Sequence, residues 1–114
     1  MLDKLPIEPT EPQHVIIPVD RWRLVQTQDK QYIVKRYTFH TLERAHVFVR
    51  EVMEYEMRMK HSANILVEQV SSSDTRSVVI SVRTSGIDIV TEIDKEFARY
   101  CDVIFRDVVY NVHS

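Results

Sequence analysis

A chain of 114 residues, 44% of them hydrophobic, is long enough to close the core of one small domain. Its formal net charge of -2 leaves no broad cationic surface to neutralise a phosphate backbone, so direct binding of nucleic acid is not expected. A single cysteine, Cys101, rules out an internal disulfide framework and a multi-thiolate zinc site, and a single glycine, Gly86, rules out dinucleotide fingerprints, phosphate loops and nucleophile elbows.

Residues 1–13 carry Pro6, Pro9 and Pro12 among few large apolar groups and read as an extended, acidic N-terminal arm. They resemble neither a secretory signal nor an arginine-rich presequence. No apolar run approaches the ~20 residues that span a bilayer. A soluble intracellular protein, in cytoplasm or an organelle matrix, is the expectation. His14 to Pro18 is a short strand or a continuation of the arm. Trp22 then opens a first strand, W-R-L-V-Q-T-Q, and Asp29-Lys30 is the polar turn into a second, Ile33 to Phe39. In that second strand Ile33, Lys35, Tyr37 and Phe39 share one mostly apolar face, while Val34, Arg36 and Thr38 share the other.

Thr41 predicts a helix N-cap, because its hydroxyl can accept from an orphan backbone amide of the first turn. The helix is expected to run to about Lys60, with Ala45, Phe48, Val49, Val52, Tyr55 and Met59 at the three- and four-residue spacing of one buried stripe. Ile65 to Val70 and Ser77 to Thr84 predict a hairpin across the polar loop S-S-S-D-T-R, with Val78, Ile80 and Val82 on one face. Ser85 to Ile89 is the next connection. Thr91 and Asp94 predict a second N-cap with a carboxylate placed well for the helix dipole, followed by a stripe of Ile93, Phe97, Cys101 and Ile104. Cys101 is then a buried, inert thiol. Residues 106–114 have strand-like content and form a C-terminal tail able to pair with a sheet edge or a partner.

The order strand, strand, helix, strand, strand, helix predicts an α+β domain over residues 14–105: a four-stranded antiparallel sheet with helices packed on one face. Such a sheet keeps exposed edges, and association is a natural way to cover them.

Several of these segments together resemble the pterin-4a-carbinolamine dehydratases, also known as dimerisation cofactors of a homeodomain transcription factor. The resemblance covers roughly residues 22 to 105. Trp22 stands where that family has an early tryptophan, and I-V-K-R-Y-T-F is similar to its apolar-x-K-x-F-x-F strand, followed by a cap and the Arg44-Ala45 pair. V-V-I-S-V-R-T-S resembles the strand that ends in the family's threonine-histidine, and V-T-E-I-D its leucine-threonine/serine-x-x-aspartate helix start. The family's His-His-Pro triplet falls on His61, Ser62 and Ala63 when the long helix is aligned without a gap, and on Lys60, His61 and Ser62 with a one-residue shift. Ser85 occupies the place of the last histidine.

The resemblance implies a pterin-4a-carbinolamine dehydratase-like fold and a site in which His61 is the catalytic residue and Ser62, Thr84 and Ser85 contact pterin. Dehydrating a 4a-hydroxytetrahydropterin needs a proton delivered to the departing hydroxyl and another removed from a ring nitrogen, tasks suited to imidazoles. One of three imidazoles remains. The expectation is therefore a degenerate active site with weak or no 4a-hydroxytetrahydrobiopterin dehydratase activity, in a protein kept as a binding or assembly module. Two alternatives stand beside it: an active hydro-lyase working through His61 and a rearranged proton path, and a subunit of a large assembly. A homo-oligomer or an assembly subunit with a pterin ligand is expected, with no cofactor. His40 and His46 lack a carboxylate or thiolate at ligand spacing, so no metal site is expected. Trp22 is read as a packed aromatic. Glu54 and Glu56 face different sides of the helix and form no dyad.

Overall fold

The computed structural model describes residues 21–84, 86–87 and 89–110. The arm, the His14 to Pro18 segment, Ser85 and residues 111–114 lie outside the described residues. Six elements follow in the expected order: β1 (Arg23–Gln26), β2 (Gln31–Phe39), α1 (Leu42–Met59), β3 (Ala63–Gln69), β4 (Arg76–Val82) and α2 (Glu92–Tyr110). All strand pairs are antiparallel and the sheet runs β1-β2-β4-β3. The fold is the expected α+β arrangement.

Strand periodicity decides which side chains meet the helices. Ile33, Tyr37 and Phe39 of β2 and Val78, Ile80 and Val82 of β4 join Ala45, Phe48 and Val52 of α1 and Phe97, Cys101, Ile104 and Val108 of α2 in one core. An aromatic cluster fills its centre: Tyr37 and Phe48 have ring centroids 4.7 Å apart, and Phe39 and Phe105 5.3 Å. The opposite face of the sheet has its own smaller cluster of Val25, Val34 and Val79, flanked by Tyr32. We call the two sides the inner, helix-covered face and the outer face.

Thr41 caps α1 as its sequence predicts, accepting from the Arg44 amide at 3.2 Å. At the other end Lys60 takes a left-handed conformation, φ 55°, that terminates the helix. Met59, expected on the buried stripe, is half exposed in this last turn. In α2 Phe97, Cys101 and Ile104 are buried as expected, and the stripe differs from the expectation at its first position. Ile93 is exposed, and Asp94 takes the inward position ahead of Phe97, Ala98 and Cys101. The helix also runs past residue 105 to Tyr110, so the first part of the expected tail is helical. Its Val108 lies four residues beyond Ile104 and continues the same buried face, which outweighs the strand preference of V-V-Y.

Candidate active site

His61 follows directly on the αL residue that ends α1, and its backbone amide donates to the Glu56 carbonyl at 3.2 Å. The Glu56 carboxylate reaches past it to accept from the Ala63 amide at 2.7 Å. The α1–β3 connection is thus tied at both ends by one glutamate. This fixes where the imidazole points. Ala63 packs against the core, so strand alternation turns His61 to the inner face and Ser62 to the outer one.

On the inner face His61 Nε2 lies 2.6 Å from Asp94 Oδ1. The Asp94 carboxylate is wholly buried, and its second oxygen accepts from the Thr84 hydroxyl at 2.8 Å and from the Thr91 amide at 2.7 Å. The Thr84 and Thr91 hydroxyls are themselves 3.0 Å apart, within hydrogen-bond distance of each other. Burial alone raises the pKa of Asp94, but the Thr91 amide, the His61 ring and the Thr84 hydroxyl outweigh it, holding the carboxyl below its ordinary value. Asp94 is therefore ionised at neutral pH and can only accept. The hydrogen between it and His61 belongs to the imidazole, so Nε2–H donates to Oδ1. Phe97 packs edge-on to the ring at 5.8 Å and leaves the His61 side chain 14% exposed.

Of the residues read from the sequence as site members, His61 and Thr84 are brought together, both bonded to Asp94. Ser62 is not with them. It is exposed and lines a recess on the outer face. Ser85 lies outside the described residues. Asp94 is the member that sequence reasoning missed, because an acidic residue in a first helical turn reads as a dipole partner. The signal for it was Ala98: stepping back four residues from Ala98 and seven from Cys101 puts Asp94, not Ile93, on the buried stripe. The threonine-x-x-aspartate spacing supplied the second half, since the Asp94 carboxylate accepts from the Thr91 amide while the Asp94 amide donates to the Thr91 carbonyl.

His40 and His46 stand apart from this cluster, and no group of three or more metal-ligating side chains occurs among the described residues. Trp22 is a packed aromatic. Its ring meets Tyr37 edge-on at 6.3 Å and its Nε1–H donates to Asp102 at 3.3 Å. Burial, with the neighbouring Asp102 and Glu56 carboxylates, pushes the Cys101 thiol well above its usual range and keeps it protonated.

The chain is thus a small α+β protein of four antiparallel strands and two helices, with a carboxylate-held histidine where α1 meets β3. Residues 6–104 match the family model described as pterin 4 alpha carbinolamine dehydratase, and the chain belongs to that family. Among solved structures it is similar to one titled as a transcriptional coactivator/pterin dehydratase from Brucella melitensis, with a TM-score of 0.62 and 21% identity over 75% of this chain and 83% of that one. At that identity the likeness speaks for the fold. No curated protein matches the sequence.

Proposed function

We propose that this chain is a pterin-4a-carbinolamine dehydratase-like protein with a depleted active site, working chiefly as a binding or assembly module with little or no turnover. One observation supports the reading: among the described residues the inner-face cluster holds a single imidazole, that of His61, beside Asp94, Thr84 and Thr91. Ser62, on the other face of the sheet, adds no proton-exchanging group to that cluster. Thr84 is engaged with Asp94 and supports the site's shape. If each lost imidazole costs ~10²–10⁴-fold, little remains above the spontaneous dehydration.

An active dehydratase is the second reading, and the Asp94 contact favours it. The buried carboxylate accepts from Nε2–H and holds the ring in one orientation, as a group that exchanges protons with a substrate requires. Neither reading draws on a metal or a cofactor.

The test is the dehydration of a 4a-hydroxytetrahydropterin followed beside the spontaneous reaction, with wild type, His61→Ala and Asp94→Asn. The depleted-site reading expects wild type and both variants to sit within about twofold of background, against the ~10²-fold or more that one working acid-base group contributes. A wild-type rate well above background that His61→Ala abolishes establishes the active enzyme instead. Titration with a dihydropterin asks separately whether the cleft still binds. Saturable shifts at His61 and Thr84 are expected.

A further inference from the structure

A run of rings leads from the inner-face site to the surface along the seam between α1 and α2. Phe97 packs on the His61 ring, Tyr55 tilts against Phe97 with centroids 5.2 Å apart, and Tyr100 stacks on Tyr55 at 4.1 Å with 25° between the ring planes. Helix periodicity sets this last pair. Tyr55 lies three residues beyond the buried Val52 of α1, and Tyr100 three beyond the buried Phe97 of α2, so each flanks the buried stripe of its helix where the two helices meet.

The pair is both held and accessible. The Arg58 guanidinium, 5.6 Å from the Tyr55 centroid, adds a second contact to that ring one turn along α1. Tyr100 is 37% exposed and Tyr55 is half-buried, so the rings are reached from solvent while remaining in contact. Burial and the nearby Glu96 carboxylate raise the Tyr55 phenol above its ordinary pKa, so it is present as the neutral phenol. Other tyrosines lack this combination. Tyr37 is sealed in the core, and Tyr110, though 75% exposed, meets no other ring among the described residues.

We propose that Tyr55 and Tyr100 form an oxidative modification site, at which a peroxidase using hydrogen peroxide joins them as an intrachain dityrosine that staples α1 to α2. Each phenol loses one electron and one proton, and the peroxide takes up both pairs and leaves as two waters. The two phenoxyl radicals couple through ring carbons ortho to the hydroxyls. The hydrogens on those carbons then move as protons to the oxygens and restore two phenols. Contact between the rings makes this coupling unimolecular, and rotation of the partly exposed side chains takes the stack to the twisted biaryl. The site goes beyond the proposed function and does not depend on it, since neither tyrosine exchanges protons with His61 or Asp94.

The test treats the full chain, at micromolar concentration, with a haem peroxidase and limiting hydrogen peroxide, and separates the products under denaturing conditions. Dityrosine fluorescence is expected in the band of monomer mass, with a yield per chain that does not change on dilution. That species should be lighter by two hydrogen atoms, and proteolysis should join the Tyr55 peptide to the Tyr100 peptide. Sulfoxidation of the exposed Met53 and Met57 adds oxygen and is told apart by mass. Tyr55→Phe and Tyr100→Phe keep a ring at each position, yet each should lower monomer-band dityrosine about tenfold or more, because an intrachain partner stands at about millimolar effective concentration. Tyr110→Phe should leave it within about twofold, since that ring couples only between chains. The proposal is overturned by dityrosine confined to higher-mass bands, by a cross-link that maps to Tyr110, by either Phe variant keeping the wild-type yield, or by no dityrosine under conditions that couple free tyrosine.

Discussion

Asp94 illustrates how much a single side chain can settle. It is fully buried and carries a charge that would be costly without partners, yet it accepts from an imidazole, a hydroxyl and a backbone amide. Its folded pKa is depressed relative to about 3.9 for an unfolded aspartate. The sign of the pH effect follows. A depressed carboxylate contributes stability that is fully present above the unfolded value and is lost as pH falls through the lower folded one. Denaturant unfolding of wild type and Asp94→Asn should therefore show the variant less stable at pH 7 by about 1–3 kcal/mol, the cost of weakened hydrogen bonds to a buried charged group. The gap should narrow as pH drops below about 4, because wild type loses its advantage there while the amide has none to lose. A gap of constant size from neutral to acid pH would mean that Asp94 is not held as the anion.

At the scale of elements, the docking of α2 onto the sheet turns on a polar knot within an apolar face. Lys35 lies on the inner side of β2, almost wholly buried, and its Nζ donates to Asp102 Oδ1 of α2 at 2.8 Å. Tyr37 Oη and Trp22 Nε1 donate to the same oxygen. Burial, together with that contact to Asp102, drives the Tyr37 phenol far above its ordinary pKa, so it remains a donor at any pH at which the protein folds. Replacing Asp102 by Ala strands the Lys35 ammonium under the sheet and should cost about 3 kcal/mol, the lower part of the range for a broken buried pair because Asp102 is partly exposed. Lys35→Met in the same background should recover most of that loss. A double-mutant cycle by denaturant unfolding checks this, and strictly additive effects would show that the pair is uncoupled. Lys35 also shows what was legible in the sequence. Period-two alternation placed it on the core face with Ile33, Tyr37 and Phe39, and both N-caps were visible in Thr41 and Thr91, because these signals are local. Its partner was not legible, since a bond between residues 67 apart depends on how α2 crosses β2. The same limit hid Asp94 behind a plausible cap and let V-V-Y read as strand-like, where Val108 extends a helix whose buried face only the packed core defines. Adjacent positions before β3 are legible by the same alternation: His61 and Ser62, next to each other in an extended segment, face opposite sides of the sheet.

For the whole molecule, the sheet has a helix-covered side and two edges, and the edges differ in kind. β1 is four residues long, whereas β3 presents seven residues without proline or glycine and only one charge, Glu68. Native sheets blunt an edge with lysine, proline or a bulge, and β3 has none of these. Leu66 and Val67 are 53% and 45% exposed there, on opposite faces, so a strand added alongside would bury apolar surface above and below while satisfying backbone groups that no strand among the described residues pairs. A second copy of the same strand, related by a two-fold axis, fits because an antiparallel pairing is self-complementary. The expected result is that the protein sediments as a dimer, and that the double substitution Leu66→Lys with Val67→Lys, which puts four extra cations across the two-fold, sediments as a folded monomer with an unchanged far-UV spectrum. A wild-type chain that stays monomeric over the concentration series, or a variant that keeps the wild-type mass, would move self-association away from β3 and toward the exposed Met53 and Met57 on the surface of α1.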